Sequence, residues 1–127
     1  MNLSNIIAVG IGGMAGSIAR YCAVFLVDKK LNGTFPYGTL TVNILGSLIL
    51  GFIVGMNLKG NLNENVKLLL ATGFCGGFTT FSALAFENVS LINQKLFGTA
   101  ATYIAISITL GLLAMSAGIF IGKLANS

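Results

Sequence analysis

The densest chemistry in the chain lies in residues 73–84, Gly73-Phe74-Cys75-Gly76-Gly77-Phe78-Thr79-Thr80-Phe81-Ser82-Ala83-Leu84. Its three glycines and three hydroxyl side chains fall inside residues 68–86, a run without a single charge. Such a run is about as long as one bilayer crossing requires, yet it is crowded with residues poorly suited to an uninterrupted helix. In lipid, broken backbone survives only where surrounding protein, a watery cavity or a bound ion satisfies its N–H and C=O groups. A mid-membrane break is therefore a candidate ion or substrate site. The chemistry on offer is coordination and hydrogen bonding. With no histidine, no metal-spaced cysteine set and only three scattered acids, acid–base and zinc chemistry have almost nothing to work with.

Other polar residues fall where an apolar helix would normally exclude them. Arg20 follows Gly12 and Gly16 at four-residue steps, so the three share a helix face. Arg20 either snorkels to the membrane surface or turns inward, bracing polar groups or making an aqueous vestibule positive for anions. Thr39 and Asn43 are also four apart. An asparagine in mid-helix is either interhelical glue or part of a polar pathway. Thr99, Tyr103, Ser107 and Gly111 recur at steps of four along the last apolar stretch, forming a polar-to-small stripe that reads as pathway lining. Glu87 sits just beyond the glycine-rich run, either as a helix-end residue at the interface or as a vestibule or gating group.

These residues need helices to hold them. With 55% hydrophobic and 8% charged residues, against about 25% charged in soluble domains, the composition is that of a membrane protein. The pattern predicts an all-α membrane protein, one domain over residues 1–127 with spans at about 3–27, 38–57, 66–92 and 96–124, the third of them broken. The first apolar run, lacking a basic leader and a cleavage site, reads as a retained helix and not a signal peptide. The net charge of +4 comes from scattered basic residues, with no cluster to follow a nucleic-acid backbone. Cys22 and Cys75 read as small buried hydrophobes. Small residues at four-residue spacing, Gly12 with Gly16, Ser47 with Gly51 and Gly55, and Gly118 with Gly122, predict close helix contacts and oligomerisation.

Orientation is undecided by charge. With Arg20 set aside, Lys59, Lys67 and Lys123 fall on one side, and Lys29, Lys30 and Lys95 on the other. The positive-inside rule thus gives a tie. Either the balance is chance in a sparsely charged chain, or copies insert both ways and pair as an antiparallel homodimer. The latter would bring two mid-membrane breaks together around a central ion.

The ordered set Gly12-Gly13 with Arg20-Tyr21, Gly38-Thr39 with Asn43, and Gly76-Gly77-Phe78-Thr79-Thr80-Phe81-Ser82 resembles the Fluc, or CrcB, family of small bacterial fluoride channels. The resemblance covers essentially the full length. It implies a dual-topology homodimer in the bacterial inner membrane, with two antiparallel pathways exporting fluoride passively, and no enzyme activity. It also implies a structural sodium ion at the dimer centre, held by the main-chain carbonyls of Gly76 and Thr79. By the same match, Phe81 turns its ring edge to fluoride, and Asn43 donates an amide hydrogen bond. Thr39, Ser82, Tyr103 and Ser107 belong to the fluoride pathway, and Arg20 and Glu87 to its vestibule.

One position departs from the family pattern. The family continues Phe-Ser-Thr-Phe, whereas this chain reads Phe81-Ser82-Ala83-Leu84, so a homodimer would lack the second aromatic in both pathways. Leu84 is then a tolerated spacer, a sign of pairing with a different family member that supplies the ring, or a substitution made to probe the site. Two readings from other classes compete. A small multidrug exporter would want a mid-helix carboxylate, absent from the first three spans, and a non-transporting scaffold would leave the polar stripe unused.

Overall fold

The computed structural model describes residues 1–127 and is wholly helical. Helix α1 covers Leu3–Lys30 and α2 covers Tyr37–Met56. The third segment starts with α3, Glu64–Lys67, widens into a π-helical stretch over Leu68–Cys75, and regains one α-turn as α4, Gly76–Phe78. After two extended residues, α5 covers Phe81–Asn93, and α6, Phe97–Ala125, completes the chain. Four segments are long and apolar enough to cross a membrane: Leu3–Lys30, Tyr37–Met56, Glu64–Asn93 and Phe97–Ala125. The chain is a multi-pass membrane protein.

Local chemistry sets the helix ends. The Asn2 side chain accepts from the Asn5 amide at 3.0 Å and caps α1, whose last turn carries Lys29 and Lys30, favourably placed against the helix dipole. Asp28 takes the amide of Gly38 at 2.9 Å, tying the end of α1 to the start of α2. After α2, Gly60 adopts φ +70°, a conformation that a residue with a Cβ rarely takes, and its amide closes a turn onto the Asn57 carbonyl at 2.9 Å.

Small residues decide which helices touch. Gly12 and Gly16 lie so close to the Leu69 and Phe74 carbonyls that a Cβ at either would strike backbone. On the other side of the molecule, Gly51 and Gly55 of α2 meet the backbone of α6, and Gly118 and Gly122 of α6 meet that of α2. Without a hydrophobic driving force between helices in lipid, this close backbone approach is the main source of cohesion. The result is two tight pairs, α1 with the π-helical stretch and α2 with α6. The third segment crosses between them. Large apolar side chains cover the outside, Ile7, Phe25, Phe86, Leu112 and Phe120 among them, as a lipid-facing surface requires.

Candidate functional site

The region is built around Thr79 and Thr80. The amide and hydroxyl of Thr79 both donate to the Cys75 carbonyl, at 3.0 and 2.9 Å. The backbone then becomes extended, with φ/ψ of −91°/157° at Thr79 and −151°/116° at Thr80. Two adjacent β-branched residues suit extended backbone better than a helix interior. Thr80 also starts the next helix, its hydroxyl accepting from the Ala83 amide at 3.1 Å, as an N-cap does.

Side chains from two other helices satisfy the backbone freed here. Asn43 of α2 meets Thr80 twice: its Oδ1 accepts from the Thr80 amide at 2.8 Å, and its Nδ2 donates to the Thr80 carbonyl at 3.2 Å. Arg20 of α1 donates through Nε to the Gly77 carbonyl at 3.0 Å, so its guanidinium turns into the protein. Asn43 thus serves as interhelical glue, which leaves its second amide hydrogen for another acceptor. Sequence alone does not assign Thr80 a partner, although a threonine three residues ahead of Ala83 after a glycine-rich stretch is a readable cap signal.

Three cavities follow one another along this region. The first, about 700 Å³, is lined by Arg20, Asp28, Lys29, Thr39, Thr80 and Glu87 among others. The second, about 350 Å³, shares Thr80 with the first and adds Asn43, Gly76, Thr79, Phe81 and Leu84. The third, about 400 Å³, shares Asn43, Phe81 and Leu84 with the second and reaches Asn88 and Ser107. The fold therefore gathers Arg20, Thr39 and Glu87 at one cavity, and Asn43, Phe81, Leu84 and Ser107 at another. Gly76 and Thr79 line the cavity between them.

The remaining candidates are placed differently. Tyr103 is fully buried; its hydroxyl donates to Glu87 Oε1 at 2.8 Å, while Thr39 donates to Glu87 Oε2 at 2.7 Å. Glu87 is thereby fixed between α2 and α6. Tyr103 packs with Leu91 and Ala100, with Leu84 partly buried against the same group. Ser82 lies on the exposed side, its hydroxyl 3.3 Å from that of Thr80. Phe81 is 80% exposed, a ring projecting from the second and third cavities with no intramolecular cover. On α6, Gly111 lies 4.0 Å from the Ser47 hydroxyl when given a Cβ, so the lower end of the stripe faces α2. Asn88, which the motifs do not single out, is 7% exposed and donates to the Leu84 carbonyl at 2.8 Å.

The Tyr103–Glu87 bond carries a prediction. Tyr103→Phe should destabilise the protein by about 1 kcal/mol through that hydrogen bond, read as a lower thermal midpoint in detergent. An unchanged midpoint would mean that the Thr39 bond alone holds Glu87.

Nothing in this constellation resembles a catalytic centre. There is no group of three or more histidine, cysteine or acidic side chains able to hold a metal; what the region presents is main-chain oxygens, amides, hydroxyls and one aromatic ring beside a vestibule of mixed charge, Arg20 and Lys29 with Asp28 and Glu87.

The chain is similar throughout its length to known proteins. A channel of Bacteroides fragilis, named fluoride-specific ion channel FluC, is 44% identical over 124 residues, covering 95% of this chain and 98% of that one. Proteins with the same name from Chlorobaculum tepidum and Flavobacterium psychrophilum are 42% and 38% identical, covering 98% and 95% of this chain and 98% of each relative. The model of the CrcB-like, camphor resistance (CrcB) family matches residues 7–119, a span containing every residue of the three cavities. The chain belongs to the CrcB-like family.

Proposed function

We propose that this chain is a passive fluoride-selective channel subunit of the bacterial inner membrane, working as an antiparallel dual-topology dimer that exports cytoplasmic fluoride. The family is one of ion channels and not of enzymes. The observation that carries the reading is the extended Thr79–Thr80 backbone within a membrane-spanning segment, braced by Arg20 and Asn43 and flanked by linked cavities.

Fluoride is small and strongly hydrated, so a pathway must replace lost water with donors while excluding larger anions. Arg20 and Lys29 are the groups of the first cavity that an anion would approach, with the acidic Asp28 and Glu87 on the same lining. The free amide hydrogen of Asn43, the ring edge of Phe81 and the hydroxyls of Ser82 and Ser107 supply donors beyond it, whereas Thr39 and Tyr103 spend their hydroxyl hydrogens on Glu87 and shape the pathway through that carboxylate. Pairing two copies about an axis in the membrane plane covers the exposed Phe81 and encloses the second cavity, giving two pathways of opposite direction. The tie in flanking lysines permits insertion both ways.

The structural sodium expected at the dimer centre fits the donors on that face. Thr79 is extended, Gly76 meets nothing where a side chain would stand, and both line the same cavity. Carbonyl oxygens suit a small hard cation; two copies would contribute Gly76 and Thr79 each. The ion's part is to neutralise converging carbonyls and hold the interface. Exchanging sodium for a larger monovalent cation should lower dimer stability in detergent, and unchanged stability would count against a bound ion.

Fluoride efflux from liposomes containing the purified chain, followed with an electrode, tests the main reading. Rapid efflux is expected, and its absence would reject an autonomous homodimeric channel. A second reading is favoured by Leu84: a hetero-pair in which another family member supplies the missing ring. If the ring limits conduction, Leu84→Phe should raise homodimer efflux severalfold, on the order of 1 kcal/mol in the barrier. An unchanged rate would make Leu84 a tolerated spacer.

A further inference from the structure

Two buried polar atoms are without a hydrogen-bond partner, Asn88 Oδ1 and Ser107 Oγ. They come from different helices, α5 and α6, and both residues line the 400 Å³ third cavity. The orientation of Asn88 is fixed, because only its Nδ2 can donate to the Leu84 carbonyl at 2.8 Å. Oδ1, an acceptor only, is thus turned away from that bond with no donor in reach, in a residue 7% exposed. Ser107 does not use its hydroxyl on the preceding helical turn, the usual resort of a serine in a membrane helix.

A buried acceptor left unpaired costs about 1–3 kcal/mol, and two orphaned groups in one cavity call for a guest. The guest must donate to Asn88 Oδ1 and either donate to or accept from Ser107 Oγ. A buried water needs two to four polar partners and about 30 Å³. Here Asn88, Ser107 and Asn43 line one cavity of about 400 Å³, and Asn43 keeps one amide hydrogen beyond its bond to Thr80.

We propose that Asn88 is a positioning residue of the pathway: with Ser107 it holds a resident water in the third cavity. Accepting one hydrogen of this water at Asn88 Oδ1 leaves its oxygen to receive the Ser107 hydroxyl, or its second hydrogen to meet a passing anion. The site is therefore a point where an ion shedding its hydration shell finds one water already in place and oriented. Leu84, smaller than an aromatic, borders the same cavity and leaves room for it. The link to conduction rests on the fluoride reading above; the water site does not.

A crystal structure resolving ordered solvent should show density within hydrogen-bond distance of both atoms in the parent, and none there in Asn88→Leu. In liposomes, Asn88→Leu and Ser107→Ala should each slow fluoride efflux about tenfold, and the double variant should be no slower than either single one. Asn88→Ala, which avoids any overpacking by leucine, should behave as Asn88→Leu does. Fold is monitored by monodisperse elution. A dry cavity in the parent, or a side chain of a second copy donating to Asn88 Oδ1, overturns the water site. With water present, parental efflux in both Asn88 variants, or additive losses in the double variant, overturns the positioning role. A parent that conducts no fluoride rejects the channel reading instead, and the solvent density still decides the water site.

Discussion

Asn43→Leu is expected to slow fluoride efflux at least about a hundredfold while keeping the branched shape of the side chain. The substitution removes both partners of Thr80, the acceptor 2.8 Å from its amide and the donor 3.2 Å from its carbonyl. Each backbone group left unpaired in an apolar setting costs about 1–3 kcal/mol, and each 1.36 kcal/mol is worth a factor of about ten in rate. Two such losses at the point where the third segment changes direction displace Thr80 and the start of α5, and with them Phe81. The amide hydrogen facing the cavities is lost as well. Asn43→Asp separates polarity from size. It keeps an acceptor for the Thr80 amide but sets an oxygen against the Thr80 carbonyl, so it should also fail. Liposome efflux, with elution profiles to exclude unfolding, checks both variants; a parental rate in Asn43→Leu would show that Thr80 finds other partners.

Gly16→Val is expected to prevent folding, or to destabilise the protein by at least about 3 kcal/mol, at the upper end of overpacking costs. A Cβ at Gly16 lands on the Phe74 carbonyl, with the Phe74 carbonyl carbon 2.9 Å away. The obstacle is backbone on both sides, so no side-chain rotation relieves it. Separating α1 from the π-helical stretch would also carry Arg20 away from Gly77. Gly10→Ala is the internal control. Nothing lies within 4 Å of the place its methyl would occupy, and alanine is the better helix former by about 1 kcal/mol, so its thermal midpoint should hold or rise. Thermal melting in detergent compares the two, and equal midpoints would show that the glycine contact is not what joins these helices.

How much was legible in the sequence depends on the range of the interaction. Helix number followed from apolar runs separated by Asp28-Lys29-Lys30, Lys59–Lys67 and Asn93-Gln94-Lys95, because excluding charge from hydrocarbon is a property of each segment alone. The pairing surfaces were legible for a related reason. Glycines four apart fall on one helix face whatever the partner, and Gly51, Gly55, Gly118 and Gly122 do meet backbone across α2 and α6. The family motif is similarly local, a string of residue types, and the match over residues 7–119 separates this chain from a small multidrug exporter.

Partners were another matter. Arg20 had two readings because its reach allows either the membrane surface or the interior. Only the packing of Gly12 and Gly16 on Leu69 and Phe74, which brings the Gly77 carbonyl within 3.0 Å, chose the interior. Asn43 had two readings for the same reason, and the carrier of its bond, the Thr80 backbone, has no signature in residue type. Glu87 is held from α2 and α6 at once, and Asn88 stands out only because its oxygen has no donor. The sequence by itself determined an all-helical membrane chain of the CrcB-like family, with its hydroxyl, amide and glycine residues in known order. The tertiary structure decided which of them meet, since a hydrogen bond between distant segments depends on ångström-scale helix placement that no single segment encodes.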